Sequence, residues 1–258
     1  MDDNLKIALI QAPLIWESPA ENREMFAEKI KSLSKDVDVI VLPEMFTTGF
    51  TMFPDHIPSS EVQMTVTWMK NMSQMAKAAI VGSIVYQDGT KNYNRLLFVK
   101  PDGSISSYDK RHTFTLAGEH GKYTAGNEHL LENYKGFVFC PMICYDLRFP
   151  VWSRNTMDYD VLLYVANWPQ PRIEAWDTLL KARAIENMAY CVGLNRIGTD
   201  ANGHNYSGHS AVYDALGKQM VFSEKEEVLE LTLTKSHLTD IRKKLPFLDD
   251  RDMFTLLN

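Results

Sequence analysis

Cysteine is scarce in this sequence. Only three of its 258 residues are cysteines, Cys140, Cys144 and Cys191. An odd and low number does not describe a disulfide framework, which small secreted proteins build from several cysteine pairs. The count fits a chain that stays in a reducing compartment. We therefore expect a cytoplasmic protein with free thiols.

The chain also lacks an excess of basic residues and any long apolar run. Its 27 lysines and arginines are outnumbered by 33 aspartates and glutamates, which gives a formal net charge of −6. Binding of nucleic acid needs a basic surface that neutralises phosphates, so no nucleic-acid partner is expected. No stretch approaches the ~20 apolar residues of a membrane span, and the start, MDDN, lacks the basic region of a secretory signal. We expect no membrane partner either.

Short β-rich runs alternate with helical segments along the chain, and no repeat, linker or composition break interrupts them. Periodicity and turn residues predict strands at 5–11, 37–42, 79–86, 94–99, 105–108, 137–142, 161–166, 190–197, 210–213 and 228–233. Helices are predicted at 22–33, 61–77, 173–187 and 235–244. This alternation predicts one α/β domain over residues 1–258, with a mixed sheet or with two sheets packed face to face between helices.

Three polar segments follow the carboxyl ends of predicted strands, where α/β sheets usually carry their sites. Glu44 follows the strand at 37–42, Lys110 follows the strand at 105–108, and Cys144 follows the strand at 137–142. If these loops come together, a carboxylate, an ammonium group and a thiol meet in one place. These are residue types that nucleophilic catalysis uses.

Cys144 stands where a strand gives way to a predicted short helix. Backbone N–H groups at the start of a helix favour an anion, so we expect them to stabilise a thiolate. The alternative is a buried and inert cysteine, which describes Cys140 and Cys191 in their apolar strands. Cys144 differs because three of the four residues after it, YDLR, carry polar groups that a plain core tolerates only with partners.

A thiol nucleophile needs a base that takes its proton. His112 and His120 are candidates, although neither lies in a recognisable cysteine–histidine signature. Glu44 is the alternative base, because a partly buried carboxylate suits proton transfer near neutral pH. Lys110 would then support the thiolate and the negative oxygen of a tetrahedral intermediate. A solvated carboxylate at a strand end and a surface lysine are the plain alternatives for these two residues.

These segments resemble the motifs of the carbon–nitrogen hydrolase superfamily, also called the nitrilase superfamily. LPEMFTTGF contains Glu44, YDKRH contains Lys110 and MICYDLRFP contains Cys144, and their order and spacing also fit. VANWP at 165–169 and KARAIEN at 181–187 extend the resemblance over nearly the whole chain. It implies a four-layer α–β–β–α sandwich, a glutamate–lysine–cysteine triad, no metal or organic cofactor, and assembly as a homodimer or a higher homo-oligomer.

Within the superfamily the chain is most similar to bacterial omega-amidases, through RFPVWSRN, ANWP, ARAIEN and ANGHNYSGHS. True nitrilases tend to carry tryptophan and glutamate after the cysteine, whereas Tyr145 and Asp146 stand here, which favours an amide substrate over a nitrile. Omega-amidases hydrolyse the terminal amide of short dicarboxylic monoamides such as 2-oxoglutaramate. The alternatives are a nitrilase or an N-carbamoyl hydrolase on the same triad, and a catalytically silent binding or scaffold protein.

The resemblance also implies how the residues would act. Glu44 would accept the proton of Cys144, and the sulfur would attack the amide carbon. Lys110 and the backbone N–H of Tyr145 would hold the oxyanion. Ammonia would leave, and water would hydrolyse the remaining thioester. Glu119 is the best match to the second active-site glutamate of the family, which would orient Lys110 or the substrate amide.

A dicarboxylic monoamide carries a carboxylate at its far end. Arg148 and Arg111 are candidates to bind it, because a guanidinium group pairs with a carboxylate in a bidentate manner. Structural ion pairs with Asp146 or Asp109 are the alternative for these arginines. Three aromatic side chains are expected to form the pocket walls, namely Phe46, Tyr145 and Trp168.

Overall fold

The structure, a computed structural model, describes residues 3–256. Its strands in chain order are β1 (Asn4–Gln11), β2 (Val39–Val41), β3 (Ala79–Asp88), β4 (Lys91–Val99), β5 (Ile105–Asp109), β6 (Glu132–Tyr134), β7 (Phe137–Ile143), β8 (Val161–Ala166), β9 (Tyr190–Asn195), β10 (Ile197–Thr199), β11 (Asn205–Ser207), β12 (Ser210–Tyr213), β13 (Gln219–Ser223) and β14 (Glu227–Thr234). Its α-helices are α1 (Pro19–Lys31), α2 (Ser60–Ala76), α3 (Pro150–Ser153), α4 (Ile173–Asn187) and α5 (Lys235–Lys244).

Twelve of these strands form two mixed sheets of six. The first sheet has the order β14-β1-β2-β3-β4-β5, and the second has the order β13-β12-β9-β8-β7-β6. Each sheet contains three parallel neighbours, β1 to β3 in the first and β7 to β9 in the second. Strands β10 and β11 form a separate antiparallel ribbon. The two sheets therefore share one plan, with a parallel part and antiparallel strands beside it.

Alternate side chains of β1 face two different cores, as the two-residue period of a strand requires. Ile7 and Leu9 belong to the apolar cluster that holds Phe139 of the second sheet. Ala8 belongs to the cluster that holds Phe26 of α1. One face of the first sheet thus packs on the second sheet, and its other face packs on α1 and α2.

Helix α4 covers the outer face of the second sheet. A Cβ atom on Gly193 of β9 would lie only 2.4 Å from Leu180 Cδ1 and 2.9 Å from the Trp176 ring. The absence of a side chain at this position therefore allows α4 to approach the sheet closely. The layers are α1 and α2, the first sheet, the second sheet, and α4, so the predicted four-layer α–β–β–α sandwich is confirmed.

The predicted elements are found, with differences at their ends. The predicted strand at 190–197 divides into β9 and β10, and the strand at 37–42 is shorter. The strands β6, β11 and β13 had no prediction; β6 and β13 lie at a sheet edge, and several of their side chains are exposed. No helix among residues 3–256 has the length and apolar character needed to cross a membrane.

Candidate active site

Three loops bring Glu44, Lys110 and Cys144 together. Lys110 directly follows β5, Cys144 directly follows β7, and Glu44 lies three residues beyond the end of β2. Lys110 Nζ donates to Glu44 Oε1 at 2.9 Å, and both charged groups lie close enough to the Cys144 thiol to act on its pKa. The two sheets therefore supply one group of side chains, as the positions at strand ends predicted.

The backbone around Cys144 differs from ordinary strand and helix geometry. Cys144 has a φ of +44°, in the left-handed region, where non-glycine residues are uncommon and often functional. A 3-10 turn, Cys144–Arg148, follows it. The Cys144 side chain is partly exposed, whereas Cys140 and Cys191 are buried. Cys144 also lines a pocket.

Glu44 is completely buried and is held by donors on both of its oxygens. Asn94 Nδ2 donates to Oε1 at 2.8 Å, and the backbone N–H of Asn167 donates to Oε2 at 2.8 Å. Asn167 Nδ2 also donates to the Glu44 carbonyl at 2.7 Å. The carboxylate therefore has a fixed orientation, with Lys110 on one side.

Glu119 lies in the same buried group. Lys110 Nζ donates to its two oxygens at 3.1 and 3.0 Å. The backbone N–H of Phe114 also donates to Glu119 Oε2, and Asn94 Nδ2 lies 3.4 Å from Oε1. Glu119 thus contacts the lysine, as the second-glutamate prediction requires, and anchors the loop that begins at Phe114.

The charges in this group act on one another. Burial alone would lower the pKa of Lys110, but Glu119 and Glu44 outweigh it and raise that pKa, so Lys110 is an ammonium group at neutral pH. Burial raises the pKa of the Cys144 thiol, Glu44 raises it further, and Lys110 only partly opposes them. The expectation of a thiolate stabilised by a helix start is therefore wrong for the resting site. Burial and the Glu44 carboxylate therefore favour the neutral thiol of Cys144.

A pocket with a cavity volume of about 90 Å³ lies over Cys144. Tyr145, Arg148 and Trp168 line it, so the structure places these three predicted binding residues beside the thiol. The other lining residues are Phe50, Lys110, Phe114, Ala117, Asn167, Pro169, Arg172, His204 and Tyr206. The pocket therefore combines aromatic walls with several cationic groups.

Two arginines line this pocket without a carboxylate partner among residues 3–256. The Arg148 guanidinium lies 4.9 Å from the centre of the Trp168 ring, and the Arg172 guanidinium lies 5.2 Å from the centre of the Phe114 ring. Asp146, the alternative partner considered for Arg148, accepts its hydrogen bonds from other residues. Both guanidinium groups are therefore available to an anionic ligand.

Phe46 and Arg111 do not line the pocket. Phe46 is fully buried and packs edge to face on Phe26, with ring centres 5.6 Å apart. Arg111 Nη1 donates to the Gly126 carbonyl at 3.2 Å, and its guanidinium lies 5.2 Å from the Trp152 ring centre. The predicted wall position of Phe46 and the predicted clamp position of Arg111 are therefore corrected.

The two histidines considered as bases also lie outside the pocket lining. His112 Nδ1 lies 2.7 Å from Asp146 Oδ1, and its ring stacks on Phe149 at 3.6 Å. His120 is exposed. Glu44, whose charge acts on the Cys144 thiol, thus remains the candidate base.

Sequence reasoning missed several residues of the site. Asn94 is a polar residue within a strand and carries no motif. Asn167 and Arg172 stand in NWPQPR, and His204 and Tyr206 stand in GHNY. Parts of both segments belong to the motifs of the resemblance, but no role was predicted for these four residues. The positions of Asn167, His204 and Tyr206 within recognised motifs, and of Arg172 just after one, were the available signal.

Comparisons with known proteins agree with this fold. The family model described as carbon–nitrogen hydrolase matches residues 6–243. The omega-amidase YafV of Yersinia enterocolitica is 46% identical over 257 residues, covering 98% of this chain and 99% of the relative. A 2-oxoglutaramate amidase of Bacillus subtilis (strain 168) is 31% identical over 250 residues, covering 95% and 96%.

A solved structure gives the same result. The CN-hydrolase superfamily protein XC1258 of Xanthomonas campestris, crystallised with an arsenic adduct in its active site, superposes with a TM-score of 0.92 at 39% identity. The match covers 99% of this chain and all of that one. The chain belongs to the carbon–nitrogen hydrolase family.

Proposed function

We propose that this protein is an omega-amidase, which hydrolyses the terminal amide of small dicarboxylic monoamides through a thioester on Cys144. One observation carries the proposal. The buried pair of Glu44 and Lys110 lies beside Cys144 in a pocket lined by Arg148 and Arg172, which have no carboxylate partner in the described part of the chain. The names of the relatives from Yersinia and Bacillus support the same substrate class.

The first half of the reaction forms the thioester. Glu44 takes the proton of Cys144 as the sulfur attacks the amide carbon, because a neutral thiol is a weak nucleophile. The negative charge that develops on the amide oxygen faces the Lys110 ammonium and the backbone N–H of Tyr145. Glu44 then gives the proton to the amide nitrogen, the carbon–nitrogen bond breaks and ammonia leaves.

The second half regenerates the enzyme. Glu44 takes a proton from water, and the resulting hydroxide attacks the thioester carbon. The carbon–sulfur bond breaks, the proton returns to Cys144, and the carboxylic acid is released. Glu119 keeps Lys110 in place through both halves, since it accepts from Lys110 Nζ at 3.0 Å.

Arg148 and Arg172 recognise the distal carboxylate of the substrate. Hydrogen bonds between charged groups contribute about 1.5–3 kcal/mol each, which corresponds to roughly 10- to 150-fold in kcat/KM. A neutral amide makes no such contact. The clamp therefore selects dicarboxylic monoamides by their charge.

The test compares 2-oxoglutaramate with a neutral aliphatic amide of the same chain length, with ammonia release as the readout. In Arg148→Met and Arg172→Met we expect kcat/KM for 2-oxoglutaramate to fall by roughly 10- to 100-fold, with a far smaller change for the neutral amide. Equal efficiency of the wild type on both substrates would reject the clamp. Carbon dioxide released from a ureido compound, or ammonia released from a nitrile, would favour the alternative N-carbamoyl hydrolase or nitrilase activity.

We also propose that residues 1–258 form one domain, which pairs as a homodimer and works in the cytoplasm. The family match over residues 6–243 supports one domain. The exposed apolar side chains Val151 and Ile185 are candidates for the dimer contact. Light scattering after size exclusion tests the assembly, and a monomer mass at micromolar concentration would contradict it.

A further inference from the structure

The Asp146 carboxylate joins the two segments that carry Cys144 and Lys110. Asp146 is fully buried and lies in the 3-10 turn that begins at Cys144. It is hydrogen-bonded to Tyr108 and to His112. Tyr108 and His112 stand two residues before and two residues after Lys110. The carboxylate therefore bonds to the chain on both sides of the lysine.

Both oxygens of Asp146 are used. Oδ2 accepts from the Tyr108 hydroxyl at 2.8 Å and from the backbone N–H of Ile143 at 3.1 Å. Oδ1 accepts from the backbone N–H of His112 at 2.9 Å and lies 2.7 Å from its Nδ1. The contact with Ile143 closes the turn in which Cys144 has its left-handed φ. One carboxylate thus fixes the cysteine turn and the lysine segment together.

The partners of Asp146 are themselves held in place. The Tyr108 hydroxyl accepts from Trp152 Nε1 at 3.1 Å and from the backbone N–H of Arg111 at 3.3 Å. The His112 ring lies parallel to the Phe149 ring, with centres 3.6 Å apart. A network in which each buried group is satisfied gives its members little freedom to move.

We infer that Asp146 is a positioning residue that sets the separation between the Lys110 ammonium and the Cys144 sulfur. The inference builds on the proposed amidase function, because it concerns the same nucleophile. Asp146 does not line the pocket, so it acts through the two segments that it joins. A misplacement of about 1 Å between reacting groups costs on the order of 100-fold in rate.

Asp146→Asn is the sharpest change, because it keeps the size of the side chain. Two backbone N–H groups, those of Ile143 and His112, donate to different oxygens of Asp146. A backbone N–H group cannot accept a hydrogen bond instead. The amide of asparagine has only one acceptor oxygen. One of the two segments must therefore lose its contact, and the turn then shifts relative to Lys110.

Asp160→Asn is the matched control. Asp160 is also buried, and its carboxylate accepts from the backbone N–H of Val138 at 2.8 Å and pairs with Lys235 and Arg242. It holds β7 at the end far from Cys144. Its loss removes structural bonds of the same kind without touching the site.

The experiment measures kcat and, separately, the pH midpoint of Cys144 alkylation by iodoacetamide, read by peptide mass spectrometry. The charged groups that act on the pKa of the Cys144 thiol include Glu44, Lys110 and Glu119, and Arg148 and Arg172 line the pocket beside it. Among these groups, Lys110 lowers the pKa of the thiol. Moving Lys110 away therefore shifts the midpoint of alkylation to higher pH. In Asp146→Asn we expect this shift, and kcat lower by roughly 10- to 100-fold with little change in KM. In Asp160→Asn we expect lower thermal stability with kcat and midpoint unchanged.

A wild-type kcat and midpoint in Asp146→Asn, or equal losses in Asp160→Asn, would overturn the inference. Tyr108→Phe removes a single donor to Asp146 and gives a second test if the asparagine variant does not fold. We expect the alkylation midpoint to shift in the same direction by a smaller amount. An unchanged midpoint would count against the inference. The alkylation readout needs no substrate. If the wild type hydrolyses none of the amides, the proposed function fails while the midpoint still tests the role of Asp146.

Discussion

The substitution Glu119→Gln tests how the buried charges of Glu44, Lys110 and Glu119 contribute to stability and, separately, to activity. Lys110 Nζ lies 2.9 Å from Glu44 Oε1 and 3.0 Å from Glu119 Oε2, and all three side chains are buried. With an effective dielectric constant of ~20, one charge pair at 3 Å contributes roughly 5 kcal/mol. The effective cost of burying the carboxylate, several kcal/mol, is of the same size. Lys110 keeps Glu44 as a partner in the variant. We therefore expect the free energy of unfolding to change by only about 1–2 kcal/mol, which corresponds to roughly 2–8 °C in Tm.

The pH dependence of that change has a definite sign. Burial raises the pKa of Glu119 above its usual value of 4.5, and Glu44 adds to this, although Lys110 opposes it. An acid with a raised pKa in the folded state contributes stability below its unfolded pKa and loses it as pH rises through the folded pKa. Glutamine does not titrate. The Tm of Glu119→Gln relative to the wild type should therefore increase as pH rises from about 4.5.

The assay is thermal unfolding of both proteins between pH 4.5 and neutral pH, together with steady-state ammonia release. We expect kcat to fall by roughly 10- to 100-fold, because Lys110 loses one of the two carboxylates that position it. A Tm difference that moves in the opposite direction with pH would refute the electrostatic reasoning. Full activity in the variant would refute the role given to Glu119.

Two further changes test the nucleophile and the loop of Glu44. Cys144→Ala should lose several orders of magnitude in rate, whereas Cys140→Ala should lose only stability, through a small cavity; comparable rate losses in both would contradict the assignment. In Gly82→Ala the new Cβ would lie 2.9 Å from Leu42 Cβ and 3.2 Å from Phe46 Cδ1, so we expect a loss of about 1–3 kcal/mol in thermal unfolding and a lower kcat. An unchanged kcat would show that the loop is not displaced.

The buried strands β7 and β8 were predictable because each of them is a continuous run of apolar residues in the sequence. The apolar runs at 161–166 and 137–142 coincide with β8 and, to within one residue, with β7. The edge strands β6 and β13 were not predictable in this way, since residues there are partly exposed and their apolar pattern is weak. Their pairing depends on the neighbouring strand, which the local sequence does not specify.

The meeting of Glu44, Lys110 and Cys144 was predictable because each lies within a motif that directly or shortly follows the end of a strand. The rest of the site depends on how distant segments meet. Phe46 looked like a wall residue, but Met45 takes a φ of +44° and Phe46 N donates to the Ser83 carbonyl at 3.0 Å, which accompanies its burial in the core. Arg172 reaches the pocket through an arrangement of segments that no local pattern encodes.

The protonation state of Cys144 also depends on the assembled structure. Sequence alone placed the cysteine at the start of a helix and predicted a thiolate. The structure gives it a short 3-10 turn, and burial raises the pKa of its thiol, with the carboxylates of Glu44 and Glu119 adding to the rise. The charges around Cys144 come mostly from loops that are distant from it in sequence, so the local sequence does not reveal them.

The central claim is that Cys144 carries the acyl group of the substrate during turnover. The direct measurement is peptide mass spectrometry after the enzyme is mixed with 2-oxoglutaramate and quenched in acid within a single turnover. We predict a mass increase equal to the substrate minus ammonia on the peptide that contains Cys144. Ammonia release with the acyl group on another residue, or with no covalent adduct at any time point, would contradict the account.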